Sequence, residues 1–406
     1  MMLKFLDFGR NSVYSLCYIF LLDLVHTFSV WKNESLVTLD AITKNTAVCP
    51  PYFQNCLSYY FLDTVPISYG QNILYMTLGG LVFLALYFLY QRKYALFALT
   101  VLIPLVYKFG YLFFLTYLPT GNYTVFGLFF GLVLLFSSYK IVYLRILVVA
   151  FYLCAAVIKL HEGYLLGDVF SSLALGVPGA PAFLIPYIGI AFLVFCIAMP
   201  LGLLFSKKTI WRNGFLWAIT LFHIYSISMV GFRYPLLLIP ILWILFHYEK
   251  EEFSFEKKHC KDFISIFIIA VMILAQGIPF FIKGDERLTG EGYRYGYYMY
   301  DGNHQCESKK IISFKDGTIK EMFWENKKAM YSCDPYEEWF KIKRWCNPDK
   351  VASISWTYDH SLNGKKYRRI VDEKNACNLM YTPFKHNQWI QEEGVLLDKE
   401  VIKNSI

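Results

Sequence analysis

ILVVAFYLCAAVIKL, residues 146 to 160, is an apolar run that reaches a lysine, Lys159, and passes directly into His161-Glu162-Gly163-Tyr164. An amine at the edge of a hydrocarbon phase has two outcomes. It snorkels to water, or it stays where its charge is costly and its neutral, proton-accepting form is favoured. Both outcomes put the end of this stretch at a membrane surface, so its reading sets the class of the whole chain.

The rest of the composition agrees. Of 406 residues, 56% are hydrophobic, 19% aromatic and only 17% charged, too apolar for an ordinary soluble enzyme. The apolar residues gather into nine runs long enough, or nearly long enough, to cross a bilayer: about 12–30, 71–90, 95–118, 123–138, 141–160, 182–205, 214–231, 235–247 and 263–282. The fourth and eighth are short. The expected fold is a polytopic α-helical membrane bundle of about nine transmembrane helices over residues 1–282, followed by a small, mostly β extracytoplasmic domain over 283–406. The first run is bounded by Asp23, His26 and Trp31 rather than by a small-residue cleavage site, which reads as a retained anchor.

Orientation follows from the basic residues near the run ends. With the N-terminus inside, the inner side carries thirteen, from Lys4 and Arg10 through Lys140 and Arg145 to Lys258 and Lys261, while the outer short loops carry only Lys32, Lys44 and Arg233. That asymmetry fits the positive-inside rule and places the tail on the outer face, periplasmic or lumenal. Cysteines give an independent check. Cys49, Cys56, Cys306, Cys333, Cys346 and Cys377 all fall on the face expected to be oxidising, where exported cysteines pair. The sequence leaves the connectivity open, including a link from Cys49 or Cys56 to the tail.

Within the tail, Ile311–Phe314 precedes Lys315-Asp316-Gly317-Thr318, and Val351–Tyr358 precedes Asn363-Gly364 and Tyr367–Val371; Asp-Gly and Asn-Gly between β-rich runs mark hairpins. One helix is expected over Tyr336–Arg344, with Asp334 as N-cap and Pro335 in its first position.

Polar residues inside the spans need a common explanation. Asp23 and His26, three apart, share a helix face; Lys108 and His223 lie within spans, Lys159 ends one, and Asn122-Tyr123-Thr124 opens another. Most fall in the outer half of the membrane, so a polar pocket opening outward is the economical inference, with His161 and Glu162 at its mouth. The competing readings are a structural Asp23–His26 pair, a satisfied core His223, a Lys108 paired with a carbonyl, an interfacial Arg233 and a snorkelling Lys159. No metal site is read, since CxxC and HExxH are both lacking, and no nucleic-acid partner is expected.

Ala156-Val157-Ile158-Lys159-Leu160 followed by Gly163-Tyr164-Leu165-Leu166-Gly167 resembles the Ala-Gly-x-x-Lys-Leu-x-x-x-Trp-x-x-Gly segment of the vitamin K-dependent γ-glutamyl carboxylases and their bacterial relatives with a horizontally transferred transmembrane domain. Phe222-His223, Gly231-Phe232, Gly292–Met299, Ser361–Gly364, Arg369–Asp372, Thr382-Pro383-Phe384 and Trp389 continue the likeness in the family's order. The resemblance implies a membrane enzyme that couples oxygenation of a reduced vitamin K-type quinol by O2 to carboxylation of protein glutamate with CO2. It needs no metal, and its partners are the lipid bilayer, the quinol and an exported glutamate-containing protein or peptide. It also implies that Lys159 deprotonates the quinol, with Asp23, His26, Asn122, Tyr123, His161, Glu162 and His223 around the pocket. One departure is specific: the family's Asn-His-Ser-Tyr-Leu reads Asn122-Tyr123-Thr124-Val125-Phe126 here, so Tyr123 stands where the family has a histidine. A phenol cannot replace an imidazole as a base near neutral pH. Two alternatives therefore stay open, a quinol oxygenase or epoxidase without carboxylation and a non-enzymatic transporter or receptor with an outer binding domain.

Overall fold

The computed structural model describes residues 48–55, 67–110, 122–172, 177–230, 233–248, 253–296, 298, 301–326 and 333–398. Asp23, His26 and the first apolar run lie outside these residues, as does Cys56.

Helices α1 (Ile67–Tyr90), α2 (Tyr94–Gly110), α3 (Asn122–Phe136) and α4 (Lys140–Val157) lead into two single-turn helices, α5 (Glu162–Leu165) and α6 (Asp168–Ser171). Four more follow: α7 (Ile185–Phe205), α8 (Thr209–Val230), α9 (Arg233–Trp243) and α10 (Phe263–Gly277). Among the described residues, three helices are long and apolar enough to cross a membrane: Lys140–Val157, Ile185–Phe205 and Phe263–Phe281, the last including a 3-10 turn beyond α10. Shorter apolar helices occupy Tyr75–Tyr90, Tyr94–Tyr107, Val125–Phe136 and Tyr234–His247. Along α7, Tyr187, Ile190, Val194 and Ile197 are exposed at three- and four-residue spacing, which aligns them on one face. Such a stripe is a liability in water and an ordinary exterior in lipid, where the helix satisfies its own backbone.

The chain divides into two compact units. The first holds the described residues of Met1–Pro50, Asn55–Cys154 and Phe195–Ile273; the second holds Pro51–Gln54, Ala155–Val194 and Leu274–Ile406. In the first unit, Asp262 accepts hydrogen bonds from Ser137 Oγ (3.0 Å) and the Ser138 backbone (2.8 Å), and Arg145 Nε donates to the Leu245 carbonyl (2.8 Å). These contacts satisfy polar groups that could not otherwise be buried.

The second unit is built on an antiparallel sheet. After α11 (Glu286–Thr289) come β1 (His304–Phe314), β2 (Ile319–Asn326), α12 (Pro335–Trp345), β3 (Val351–Leu362), β4 (Arg368–Glu373) and β5 (Val395–Leu396), in sheet order β2-β1-β3-β4-β5. The turns fall where Asp-Gly and Asn-Gly predict. β1 ends at Phe314 and β2 starts at Ile319, and Asn363 and Gly364 take φ of 55° and 69° between β3 and β4. Asp334 caps α12, accepting from Tyr336 N at 2.8 Å, with Pro335 next in line. Trp356, Tyr358, Ile354, Tyr336 and Ile342 form the dry core, and Lys310 and Glu338 meet as a buried ion pair.

Two disulfides pair the four tail cysteines among themselves: Cys306–Cys333 ties the segment before α12 to β1, and Cys346–Cys377 ties the segment after it to the 3-10 turn Ala376–Asn378. Cys49 is also disulfide-bonded. A disulfide-bonded sheet of this kind fits an oxidising, extracytoplasmic compartment.

Residues 155–194 belong with this sheet through specific contacts. Asn303 Nδ2 donates to the Val169 carbonyl and to Ser172 Oγ, both at 2.5 Å, and Lys365 pairs with Asp168 at 3.3 Å. Gly163 permits the approach, since a Cβ there would lie 2.6 Å from Asn363 Nδ2; within residues 155–194, a Cβ on Gly189 would lie 1.9 Å from the Tyr164 carbonyl oxygen. A backbone oxygen cannot retreat as a side-chain tip can. Gly189→Ala is therefore expected to destabilise the protein by about 1–3 kcal/mol, the usual cost of overpacking. The thermal midpoint of the purified protein checks this, and an unchanged midpoint would refute the close packing.

Candidate functional site around Lys159

Helix α4 ends at Val157, and the chain continues through tight turns in which Lys159 N bonds the Ala156 carbonyl and His161 N the Lys159 carbonyl. The lysine side chain folds back rather than reaching outward. Its Nζ donates to the Ala155 carbonyl at 3.1 Å and lies 5.9 Å from the centre of the Tyr164 ring, and the residue is only 8% exposed. A cation at a helix C-terminus is favourable on its own, since it meets unpaired carbonyls and the negative end of the helix dipole. The structural role and a chemical one thus share the same position.

A buried polar cluster surrounds this turn. Half-buried His161 directs Nε2 at the Asp301 carbonyl, 2.8 Å away; a carbonyl only accepts, so that nitrogen carries the hydrogen. Asp301 is fully buried, and its Oδ1 accepts from Tyr293 Oη at 2.8 Å. Tyr293 stacks on Tyr298, with centroids 4.3 Å apart, and Tyr298 Oη donates to Glu286 Oε1 at 2.8 Å. Arg287 is held by Asp285 at 2.9 Å. Burial raises the Asp301 carboxyl above its ordinary range, opposed by the Tyr293 hydrogen bond and then by the Lys159 charge.

Two histidines extend the cluster into the sheet. His360 Nδ1 lies 2.6 Å from the Leu288 carbonyl and must donate, which leaves Nε2 as its acceptor. His304 Nδ1, 3.1 Å from that Nε2, then carries a hydrogen, and His304 Nε2 is left as a bare lone pair. His304 Nε2 and Asp301 Oδ2 are both buried without a hydrogen-bond partner among the described residues. Buried polar groups are seldom left so, and two in one cluster make it a candidate site. His360, Asp285, Leu288, Lys365 and Arg368 line a cavity of about 480 Å³; Lys159 does not line it.

The other residues expected at the pocket are distributed as follows. Glu162 is exposed in the first turn of α5. His223, in the first unit, is buried and its Nε2 lies 2.5 Å from Tyr152 Oη, with the Tyr234 ring 5.9 Å away. Asn122 and Tyr123 open α3, in the first unit as well. The structure thus brings Lys159 and His161 together with Asp301, Tyr293 and His304, a group the sequence reading missed. Its one signal was indirect: Tyr293 lies in the Gly292–Met299 stretch, while Asp301 and His304 belong to no motif. Compared with protein-family models, curated proteins and solved structures, the chain finds no match.

Burial lowers His161 from 6.5 to about 4, aided by the nearby Arg287 charge, and lowers His304 to about 4 and His360 to about 3. These three imidazoles therefore bind more protons in the unfolded chain than in the folded one as pH falls below about 6.5. Their contribution to stability is expected to be level above that pH and to fall toward pH 4. In ¹⁵N-histidine spectra, the signals lost on substituting these three residues one by one with Gln should not titrate between about pH 5 and 8, the range where an ordinary imidazole changes charge. A signal among them with a midpoint near 6.5 would contradict the burial.

Proposed function

We propose that this protein is a membrane enzyme in which Lys159 removes a proton from a hydroxyl of a reduced vitamin K-type quinol. The observation that carries the reading is the amine itself, 8% exposed and held at the end of an apolar helix, where its Nζ donates to the Ala155 carbonyl. A phenolic hydroxyl, with a pKa near ~10, needs a base of comparable strength that is neutral when it acts, and a lysine withheld from water is such a base. Asp301 Oδ2 and His304 Nε2 add polar atoms able to take a hydrogen or a hydrogen bond nearby. The quinol, once ionised, supplies reactivity toward O2 that no side chain offers, and with it the basicity to remove a glutamate γ-proton ahead of CO2 addition. The chain's own tasks are narrower: Lys159 takes the first proton, and His161 fixes the Asp301 backbone beside it.

On this reading about nine helices span the membrane with the N-terminus inside, and the disulfide-bonded sheet meets an exported glutamate-containing protein or peptide on the outer face. Oxygenation without carboxylation is the second reading, favoured by Tyr123 at the position where the family has a histidine.

The test uses purified protein with reduced vitamin K or menaquinol, O2 and labelled bicarbonate, scoring epoxide and label in a glutamate peptide separately. Both products are expected from the parent and neither from Lys159→Ala, with the folded yield nearly unchanged. Epoxide without label selects the second reading. No product from the parent protein would defeat both.

A further inference from the structure

We propose that the loop over residues 381–385 is an interfacial anchor, presenting Phe384 and Lys385 to the phospholipid surface that the end of α10 reaches. This rests on the reading of Phe263–Phe281 as a membrane span, and not on the chemistry assigned to Lys159.

The loop is held in a shape that its sequence disfavours. Phe384 has a φ of 62°, a left-handed backbone that a bulky side chain rarely takes. A buried clamp holds it there. Asn387 Oδ1 accepts from Thr382 N at 2.7 Å and its Nδ2 reaches the Lys385 carbonyl at 3.1 Å, so one side chain grips the loop on both sides of Phe384. Glu291, also buried, fixes Asn387 in turn, its Oε1 accepting from the Asn387 backbone and Nδ2 at 2.8 Å while its Oε2 meets His386 Nδ1 at 2.7 Å. What this clamp presents is apolar and outward: Phe384 is 50% exposed, and Met380, just before the loop, is 79% exposed. Backbone strain that holds an aromatic ring out of the core points to a surface the ring meets.

Contacts within the second unit say which surface. The Phe384 ring stacks on Tyr295, with centroids 4.7 Å apart, and on Tyr52 at 6.4 Å. Tyr295 belongs to the 3-10 turn Tyr293–Tyr295, whose flanking glycines lie against the end of the apolar helix. A Cβ on Gly292 would be 3.1 Å from Pro279 Cα, and one on Gly296 would be 3.3 Å from Pro279 Cγ. The stretch Phe263–Phe281 is long and apolar enough to cross a bilayer, and Phe267, Leu274 and Phe281 are exposed along it, the last at 90%. Such an exterior is ordinary in lipid and a liability in water. It gives way to charge at Lys283, which marks the membrane surface, and Phe384 is one ring stack from the turn packed there. Tyrosine rings with an exposed lysine are the residue types suited to the headgroup boundary, where the rings sit among the acyl chain ends and the amine reaches the phosphates.

The experiment places an environment-sensitive fluorescent amino acid at position 267, 315, 380 or 384 of the full-length protein, one position at a time. Each protein is reconstituted into phosphatidylcholine vesicles whose acyl chains are unbrominated or brominated close to the headgroup. Bromination should quench the probe at 384 and at 380, as it does at 267, and should leave the probe at 315, in the polar β1–β2 hairpin, at full emission. Asn387→Ala releases the clamp, so the probe at 384 should recover emission in that background. Quenching at 267 with none at 380 or 384 overturns the anchor and leaves the span standing. No quenching at 267 overturns the span reading, and the anchor with it. Equal quenching at 315 also overturns the proposal, because the sheet would then adsorb without regard to the loop. If Asn387→Ala does not fold, the probes at 380 and 384 decide.

Discussion

The hydrogen bond from His161 Nε2 to the Asp301 carbonyl joins segments 140 residues apart in sequence, and the second unit depends on that junction. On one side it fixes the turn that ends α4, and with it Lys159. On the other it fixes the loop that enters β1. Asn303 and Asn363 reinforce it: Asn363 Oδ1 accepts from Asn303 N at 2.9 Å while Asn303 Nδ2 reaches Val169 and Ser172. The sheet is therefore coupled to residues 155–194 by polar contacts between short loops, which need close approach, and Gly163 makes that approach to Asn363 possible.

Such a junction has an electrostatic cost, since burying an unpaired charge is far more expensive than burying a neutral polar group. The cluster is consistent with that limit. Its histidines are held in neutral forms, Tyr293 and Tyr298 keep their hydroxyl hydrogens for Asp301 and Glu286, and Arg287 is offset by Asp285. Among the described residues, one imidazole nitrogen and one carboxyl oxygen of the cluster remain without a hydrogen-bond partner.

How much of this was legible in the sequence depends on how local the signal is. The hairpin at Asp316-Gly317, the turn at Asn363-Gly364 and the capped helix after Asp334 were readable because turn and cap chemistry act within a few residues. Apolar runs marked the helices for the same reason. Lys159 stood out as a charge at the end of such a run, and its low exposure is what the structure adds. Disulfide pairing was not readable, because Cys306–Cys333 and Cys346–Cys377 are chosen by the folded sheet. Asp301, His304 and His360 were missed for a similar reason: nothing near them in sequence announces that a loop, a first strand and a third strand will converge. His223 was expected at the pocket; its Nε2 meets Tyr152 in the other unit.

The central claim is that the Lys159 amine takes a proton from a bound aromatic diol. It is tested most directly by mixing purified protein with menaquinol under strict exclusion of O2 at neutral pH and recording the absorption spectrum of the bound quinol. The account predicts the ionised quinol in amounts matching the protein, and its loss in Lys159→Met. An un-ionised quinol spectrum in both proteins would contradict it.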